Sequence, residues 1–398
     1  METQNKSPEV RFEGFTVEWE EKVLGDYGKV SMNKRIFKSQ TSNEGEIPFY
    51  KIGTFGKQPD AFIKRELFEE YKKLYPYPNV GDILISASGS IGRTVVYKGE
   101  EEYFQDSNIV WLEHEGSLDN SFLKQYYSII KWYGLEGSTI QRLYNKNILE
   151  TNVFIPQLPE QKKIGNLFSN LDKLIKNHQT QLKKLKNLKK AMLTKMFPQN
   201  GASVPEIRFK GFDGEWERKS LDDICDTYSG GTPSVGYREY YNGKIPFIRS
   251  GEINSNKTQL FISEKGLKES SAKLVDRDCI LYALYGATSG EVGISKLSGA
   301  INQAILAIQP YEGYNNIFIS EWLKREKKNI ITTYLQGGQG NLSGNIIKSL
   351  ILDIPNQTEQ EKIGDYFKNL DDLIENHKEQ LNKLNNIKKA CLNKLFVA

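Results

Sequence analysis

Side chains with forked or paired hydrogen-bonding groups crowd the polar segments that separate the apolar runs of this 398-residue chain. Arg and Lys offer donors to the acceptor pair of guanine, Asn and Gln match the donor–acceptor pair of adenine, and Ser, Thr and Tyr hydroxyls serve either role. On loops that enter a groove, such groups read base edges or hold phosphates. In the first half of the chain the candidates are Asn33, Lys34, Arg35, Lys57, Gln58, Ser88, Ser90, Arg93, Arg142, Asn145 and Lys146. In the second half they are Thr232, Ser234, Tyr237, Arg238, Arg249, Asn254, Lys257, Tyr285, Thr288, Ser289, Gln303, Gln339 and Asn341. The run Gly337-Gly338-Gln339-Gly340-Asn341 adds backbone N–H groups able to approach phosphate closely.

Other chemistries lack their residues. Cys225, Cys279 and Cys391 stand far apart with no CxxC pair, so neither a disulfide framework nor a zinc site is encoded. His114, His178 and His377 are the only histidines, too few for a metal set of their own. The Gly56-Lys57 and Gly243-Lys244 pairs are followed by Gln58 and Ile245, so no P-loop is present. No Pro-Pro pair occurs, which removes the Asn/Asp-Pro-Pro-aromatic signature of an amino-methyltransferase. Dispersed carboxylates leave a self-contained nuclease as a minor alternative. The expectation is a chain with no catalytic centre, no metal and no cofactor of its own.

A composition of 38% hydrophobic and 26% charged residues describes a folded globular chain, and a net charge of +4 does not by itself identify a nucleic-acid binder. No stretch approaches the roughly 20 apolar residues of a membrane helix, and Met1 to Ser7 is polar. Reduced thiols and a cytoplasmic address are expected.

An internal repeat sets the architecture. Pro8-Glu9-Val10-Arg11-Phe12, Gly14-Phe15 and Glu18-Trp19-Glu20 return as Pro205-Glu206-Ile207-Arg208-Phe209, Gly211-Phe212 and Glu215-Trp216-Glu217, 205 − 8 = 197 residues later. Trp19 and Trp216, held in the repeats, read as packing anchors. The segment from Ile155-Pro156 to Phe197 returns as Ile354-Pro355 to Phe396. Within it, Ile164, Leu171, His178, Leu185 and Met192 recur every seventh residue, and Ile363, Leu370, His377, Leu384 and Cys391 do so in the second copy. Leu167, Leu174, Leu188, Phe367, Leu373, Ile374, Leu381, Ile387 and Leu395 widen these stripes. The two histidines read as polar register-setters in the seam.

Neither long helix buries its stripe alone, so the two are expected to pack as a coiled coil, each about 38 residues and ~57 Å long. The first is plainly basic, with ten Lys against two carboxylates from Glu160 to Phe197, whereas seven Lys face seven carboxylates from Glu359 to Phe396. Runs such as Asp82-Ile83-Leu84-Ile85, Thr94-Val95-Val96-Tyr97 and Cys279-Ile280-Leu281-Tyr282 predict strands. Segments 120–133 and 316–328 predict short helices. The expected fold is α+β: two globular domains related by duplication, separated by two long helices packed as an antiparallel coiled coil. The boundaries are 1–158 for the first domain, 159–198 for its helix, 199–356 for the second domain and 357–398 for its helix.

The segments Ser229-Gly230-Gly231-Thr232-Pro233-Ser234, Tyr241-Asn242-Gly243-Lys244-Ile245-Pro246-Phe247-Ile248, Ala300-Ile301-Asn302-Gln303-Ala304, and Ile354-Pro355 with Glu359-Gln360-Glu361-Lys362-Ile363 resemble, in type and order, type I restriction-modification specificity subunits. The likeness extends over the whole chain, although Val30-Ser31-Met32-Asn33-Lys34-Arg35 stands where the first unit would carry Gly-Gly-Thr-Pro-Ser. The resemblance implies that each domain reads one half of a bipartite double-stranded DNA site while the antiparallel helices set the unread spacer. It implies two modification subunits bringing S-adenosylmethionine chemistry, and two restriction subunits bringing ATP- and Mg-dependent translocation and cleavage. A coiled-coil scaffold that never touches DNA accounts equally well for the helices. It does not account for divergent Asn, Gln, Arg and Ser loops on a shared scaffold.

Overall fold

The computed structural model describes residues 7–134, 142–199, 201–335 and 341–397. The chain divides into two compact units, residues 1–179 with 379–398 and residues 180–378. The division cuts both long helices, Leu158–Lys195 and Gln357–Lys394. Each unit therefore contains the N-terminal part of one long helix and the C-terminal part of the other. Pro159 sits in the first turn of the first helix, where its missing N–H is no loss. The second helix starts where the Asn356 side chain accepts the Glu359 N–H at 3.0 Å.

In the first unit an antiparallel sheet has the strand order Lys29–Ser31, Ile109–Glu113, Ile83–Ser86, Thr94–Val96. A second sheet orders Thr41–Ser42, Phe62–Ile63, Ile47–Tyr50 and Tyr103–Phe104, the last pair parallel. A two-stranded ladder, Glu20–Val23 with Asn152–Ile155, joins the domain to its helix. The second unit repeats the plan. Cys225–Ser229, Ile305–Pro310, Ile280–Ala283 and Val292–Ile294 form one sheet; Leu260–Ile262, Tyr241–Ile248, Gly299–Ile301 and Lys273–Val275 form the other. Glu217–Ser220 pairs with Ile351–Ile354.

The repeated sequence builds the same joint twice. In the first unit the Trp19 ring meets Phe122 and Phe396 edge-on at 6.0 and 6.3 Å, and the Val10 N–H bonds the Lys394 carbonyl at 2.9 Å. In the second, Trp216 lies 6.2 Å from Phe197 and 5.7 Å from Phe318, and the Ile207 N–H bonds the Lys195 carbonyl at 2.9 Å. The joint that forms between neighbours in sequence in one unit is made by the two ends of the chain in the other. A buried ion pair locks each: Arg11 with Glu160, and Arg208 with Glu359.

Within each unit the helix segments run antiparallel. Phe168 packs on Phe396 while Asp172, further along, bonds Lys388, earlier in the partner helix. In the second unit Phe197 packs on Phe367 and Lys189 bonds Asp371. Ile164, Leu171, Ile363 and Leu370 are buried in the cores; Leu185, Met192, Leu384 and Cys391 are half-buried against them, and His178 and His377 are partly exposed. Leu174, Leu188, Leu373 and Ile387 depart from the expected stripe, being 41–49% exposed. Each segment buries its apolar side mainly against its globular domain, so positions turned away from that domain stay open.

Two predicted ends move. The first short helix closes at Tyr126, where the Ser128 hydroxyl competes for the Gln125 carbonyl, whereas the second runs on from Asn316 to Tyr334. Among the described residues no helix is long and apolar enough to cross a membrane.

Candidate nucleic-acid interface

Four loops of the first unit meet through their own polar groups. The loop after Tyr50 is tied to the loop after Phe104 by the Gln105 N–H to the Tyr50 carbonyl and the Ile52 N–H to Gln105 Oε1, both 2.9 Å. The turn at 87–92 joins them through Ser88, whose hydroxyl donates to Asn108 Oδ1 at 2.8 Å, and through the Ala87 N–H to the Asn108 carbonyl. The segment at 142–144 closes the group: the Leu143 N–H bonds the Ala87 carbonyl, and Arg142 donates to Ser107 Oγ at 2.8 Å.

The second unit assembles the same four loops with the same backbone bonds. The Asn302 N–H reaches the Ile248 carbonyl, the Leu284 N–H the Ala304 carbonyl, and the Leu342 N–H the Leu284 carbonyl. These bonds align Gln105 with Asn302, Asn108 with Ala304, Ser88 with Tyr285, and Arg142 with Asn341. The scaffold is constant and the side chains are not.

In the first unit Arg93 donates to the Ile52 carbonyl at 2.9 Å and lies over the Phe55 ring, so it braces the loops. Arg35 comes to the same face, its Nε donating to Asp106 at 2.6 Å. Lys34 stands beside it with its ammonium over the Tyr75 ring. Lys57, Gln58 and Ser90 are exposed on the two turns, and Asn145 and Lys146 are exposed on the helix Asn145–Leu149 just beyond Leu143. Asn33 does not stand free: it is 2% exposed and donates to the Pro76 carbonyl at 3.2 Å. Two residues past the strand Lys29–Ser31, whose last residue is buried, the chain turns this amide inward, which corrects the expectation that it reaches a groove.

In the second unit Thr232, Gln303, Tyr285 and Asn341 converge. The Thr232 hydroxyl donates to Gln303 Oε1, and the Tyr285 and Asn341 backbones form an isolated antiparallel bridge. Burial pushes the Tyr285 phenol up from its usual range, and the Gln303 bond partly offsets this. Gly230 and Gly231 permit the approach, since a Cβ on Gly230 would sit 1.9 Å from the Ile301 carbonyl oxygen. Arg249 is held by Glu252 at 3.0 Å and Gln259 at 3.0 Å, and the Glu252 bond raises its pKa further.

Ser234, Tyr237 and Arg238 are exposed on the turn leading into Tyr241–Ile248; Lys257 is exposed in the loop after that strand. Thr288 and Ser289 form the half-buried turn after Ile280–Ala283. Asn254 is not brought to the cluster; it lies against Gly293 in a cleft lined by Arg277, Lys296 and Lys368. Gln339 and residues 337–340 of the glycine run lie outside the described residues.

Reasoning from sequence passed over Gln105, Asp106, Ser107, Asn108, Gln259 and Asn302. The repeat offset carries the missing signal for all but Gln259, which bonds Arg249, because Arg35 and Thr232 are 197 residues apart and each meets the loop that contains the others.

Among the described residues no group of three or more His, Cys, Asp or Glu is placed to hold a metal. The arrangement presents hydrogen-bond donors and acceptors to a polar partner.

The family model described as "type I restriction modification DNA specificity domain" matches residues 16–187 and again 213–386. A Haemophilus influenzae protein named as a type I restriction enzyme specificity subunit is 57% identical over 152 residues, 38% of this chain and 40% of that protein. The chain thus matches about two fifths of that relative's length. A Methanocaldococcus jannaschii protein named as the MjaX specificity subunit is 25% identical over 388 residues, covering 91% of this chain and 86% of its own. The S subunit crystal structure from M. genitalium shares the fold, with a TM-score of 0.69 and 18% identity over 98% of this chain and 99% of that one.

Proposed function

The chain belongs to the type I restriction-modification DNA specificity family, and on that premise we propose that it is the DNA-reading subunit of such a complex. Each unit reads one half of a bipartite double-stranded site. The observation that carries this reading is the pair of equivalent four-loop faces, with shared backbone bonds and different hydrogen-bonding side chains. A constant frame with variable donors and acceptors is what two readers of different base sequences require.

The candidates on these faces divide by chemistry. Arg35, Gln303 and Asn341 are suited to base edges; Lys34, Lys57 and Lys146 are suited to phosphates. The long helices set the unread spacer and dock two modification subunits, with two restriction subunits completing the complex. The chain performs no catalysis itself. S-adenosylmethionine, ATP and Mg belong to those partners, and the complex works in the cytoplasm.

The test is to map modified bases in DNA from cells carrying the matching modification subunit, with and without this chain. A split motif that requires the chain supports the proposal; an unchanged pattern opposes it.

A further inference from the structure

Arg35 and Thr232 occupy the same place in the two units, 197 residues apart and each four residues past an equivalent ladder position, Ser31 opposite Trp111 and Tyr228 opposite Ala307. Each reaches the same loop. In the first unit that loop carries Asp106-Ser107 between Gln105 and Asn108; in the second Gln303 alone stands between Asn302 and Ala304. Two residues from distant segments therefore meet at one slot, once as guanidinium on carboxylate and once as hydroxyl on amide.

The bonds within each slot leave a defined set of groups open. Arg35 uses Nε on Asp106 and is 61% exposed, and no bond from its two terminal nitrogens occurs among the described residues. Those two nitrogens form a fork of parallel donors, the complement of guanine O6 and N7. Gln303 has one Oε1 lone pair taken by Thr232. The other Oε1 lone pair with an amide N–H forms an acceptor–donor pair, the complement of the adenine N6–H and N7.

We propose that Arg35, held by Asp106, reads a guanine in the half-site of the first unit, and that Gln303, held by Thr232, reads an adenine in the half-site of the second. Reader and support exchange places between the units. The early segment supplies the reader in one and the support in the other. This inference rests on the DNA-reading role proposed above.

The experiment uses the full chain assembled with its modification subunits and a randomised duplex library, sequencing the bound fraction at one fixed salt concentration. Gln303→Ala is expected to lower preference for one adenine of one half-site by roughly 10- to 100-fold, as loss of a bidentate pair does, leaving the other half-site unchanged. Arg35→Ala is expected to do the same at one guanine of the other half-site. Asp106→Ala relaxes that same guanine more weakly, because it frees the reader without removing it.

The untouched half-site reports that each variant is folded. Gln303→Glu is the second variant at that slot: it keeps the size and loses the amide donor, and it must lose adenine too. The inference is overturned if preferences stay intact, if both substitutions act on one half-site, or if the relaxed bases are not guanine and adenine. A wild-type complex with no base preference would instead remove the DNA-reading role itself, and the assignment with it.

Discussion

Replacing Arg208 with alanine removes the partner of a carboxylate that has no access to water. Glu359 is 0% exposed and receives Arg208 Nε and Nη2 at 2.7 Å each; the same guanidinium bonds the carbonyls of Gly214 and Asp213 at 2.6 and 2.9 Å. Breaking a buried pair from one side costs about 3–5 kcal/mol, because the remaining charge is left without compensation. Exposed pairs are worth about 0–1 kcal/mol, so the two cases separate cleanly. With a urea m-value of ~2 kcal/mol per M, Arg208→Ala should lower the unfolding midpoint of the second unit by about 2 M. Removing both charges with apolar residues of similar volume, Arg208→Met with Glu359→Leu, should recover most of the loss, since no charge is then stranded. Urea titrations followed by tryptophan fluorescence measure both. A shift below ~0.5 M for the single variant, or a double variant as unstable as the single one, would refute the reasoning.

The helix glycines offer a sign test. Gly364→Ala should gain up to ~1 kcal/mol of helix propensity, yet its Cβ would lie 2.6 Å from Asn315 Oδ1, and overpacking of that kind costs ~1–3 kcal/mol; a higher melting temperature would contradict the close approach. Asp172 is pushed up by burial, but bonds from Lys124 and Lys388 outweigh this and hold it below its ordinary 3.8. Its contribution is therefore complete above that value and lost as the pH falls below it. Asp172→Asn should flatten the acid limb of stability against pH, and an unchanged limb would show that the pair contributes little. DNA affinity should fall with salt, log Kd rising by about 0.9 per phosphate neutralised for each tenfold increase in salt; a flat response in filter binding would exclude backbone contact. Inserting four residues in both long helices, after Gln179 and after Lys378, should change the spacer mapped by methylation and leave both half-sites as they were.

The duplication, the two long helices and the α+β character were legible because each is written in periodicity. A 197-residue offset with Trp19 and Trp216 in register, and heptads from Ile164 and Ile363, survive without knowledge of any distant contact. The helix exposure was less legible. Leu174 and Leu373 fit the heptad stripe as well as Leu171 and Leu370 do, but a helix that also packs on a globular domain buries only the positions that domain reaches. Site residues were legible by type rather than by place. Asn33 and Arg35 look alike in a polar run, yet one turns inward to Pro76 and the other outward on Asp106.

By itself, then, the sequence determined that there are two similar readers, each joined to a long helix, and which side chains have the chemistry to recognise bases. The tertiary structure alone decided which of them meet: Arg35 with Asp106, Thr232 with Gln303, Arg142 with Ser107. It also decided that the two chain ends close one joint, Val10 on Lys394, that the middle of the chain closes in the other. The physical reason is range. Periodicity follows from the geometry of a single helix or strand, whereas a shared slot is set by sheet pairings between segments some 70 residues apart, whose registers no local pattern records.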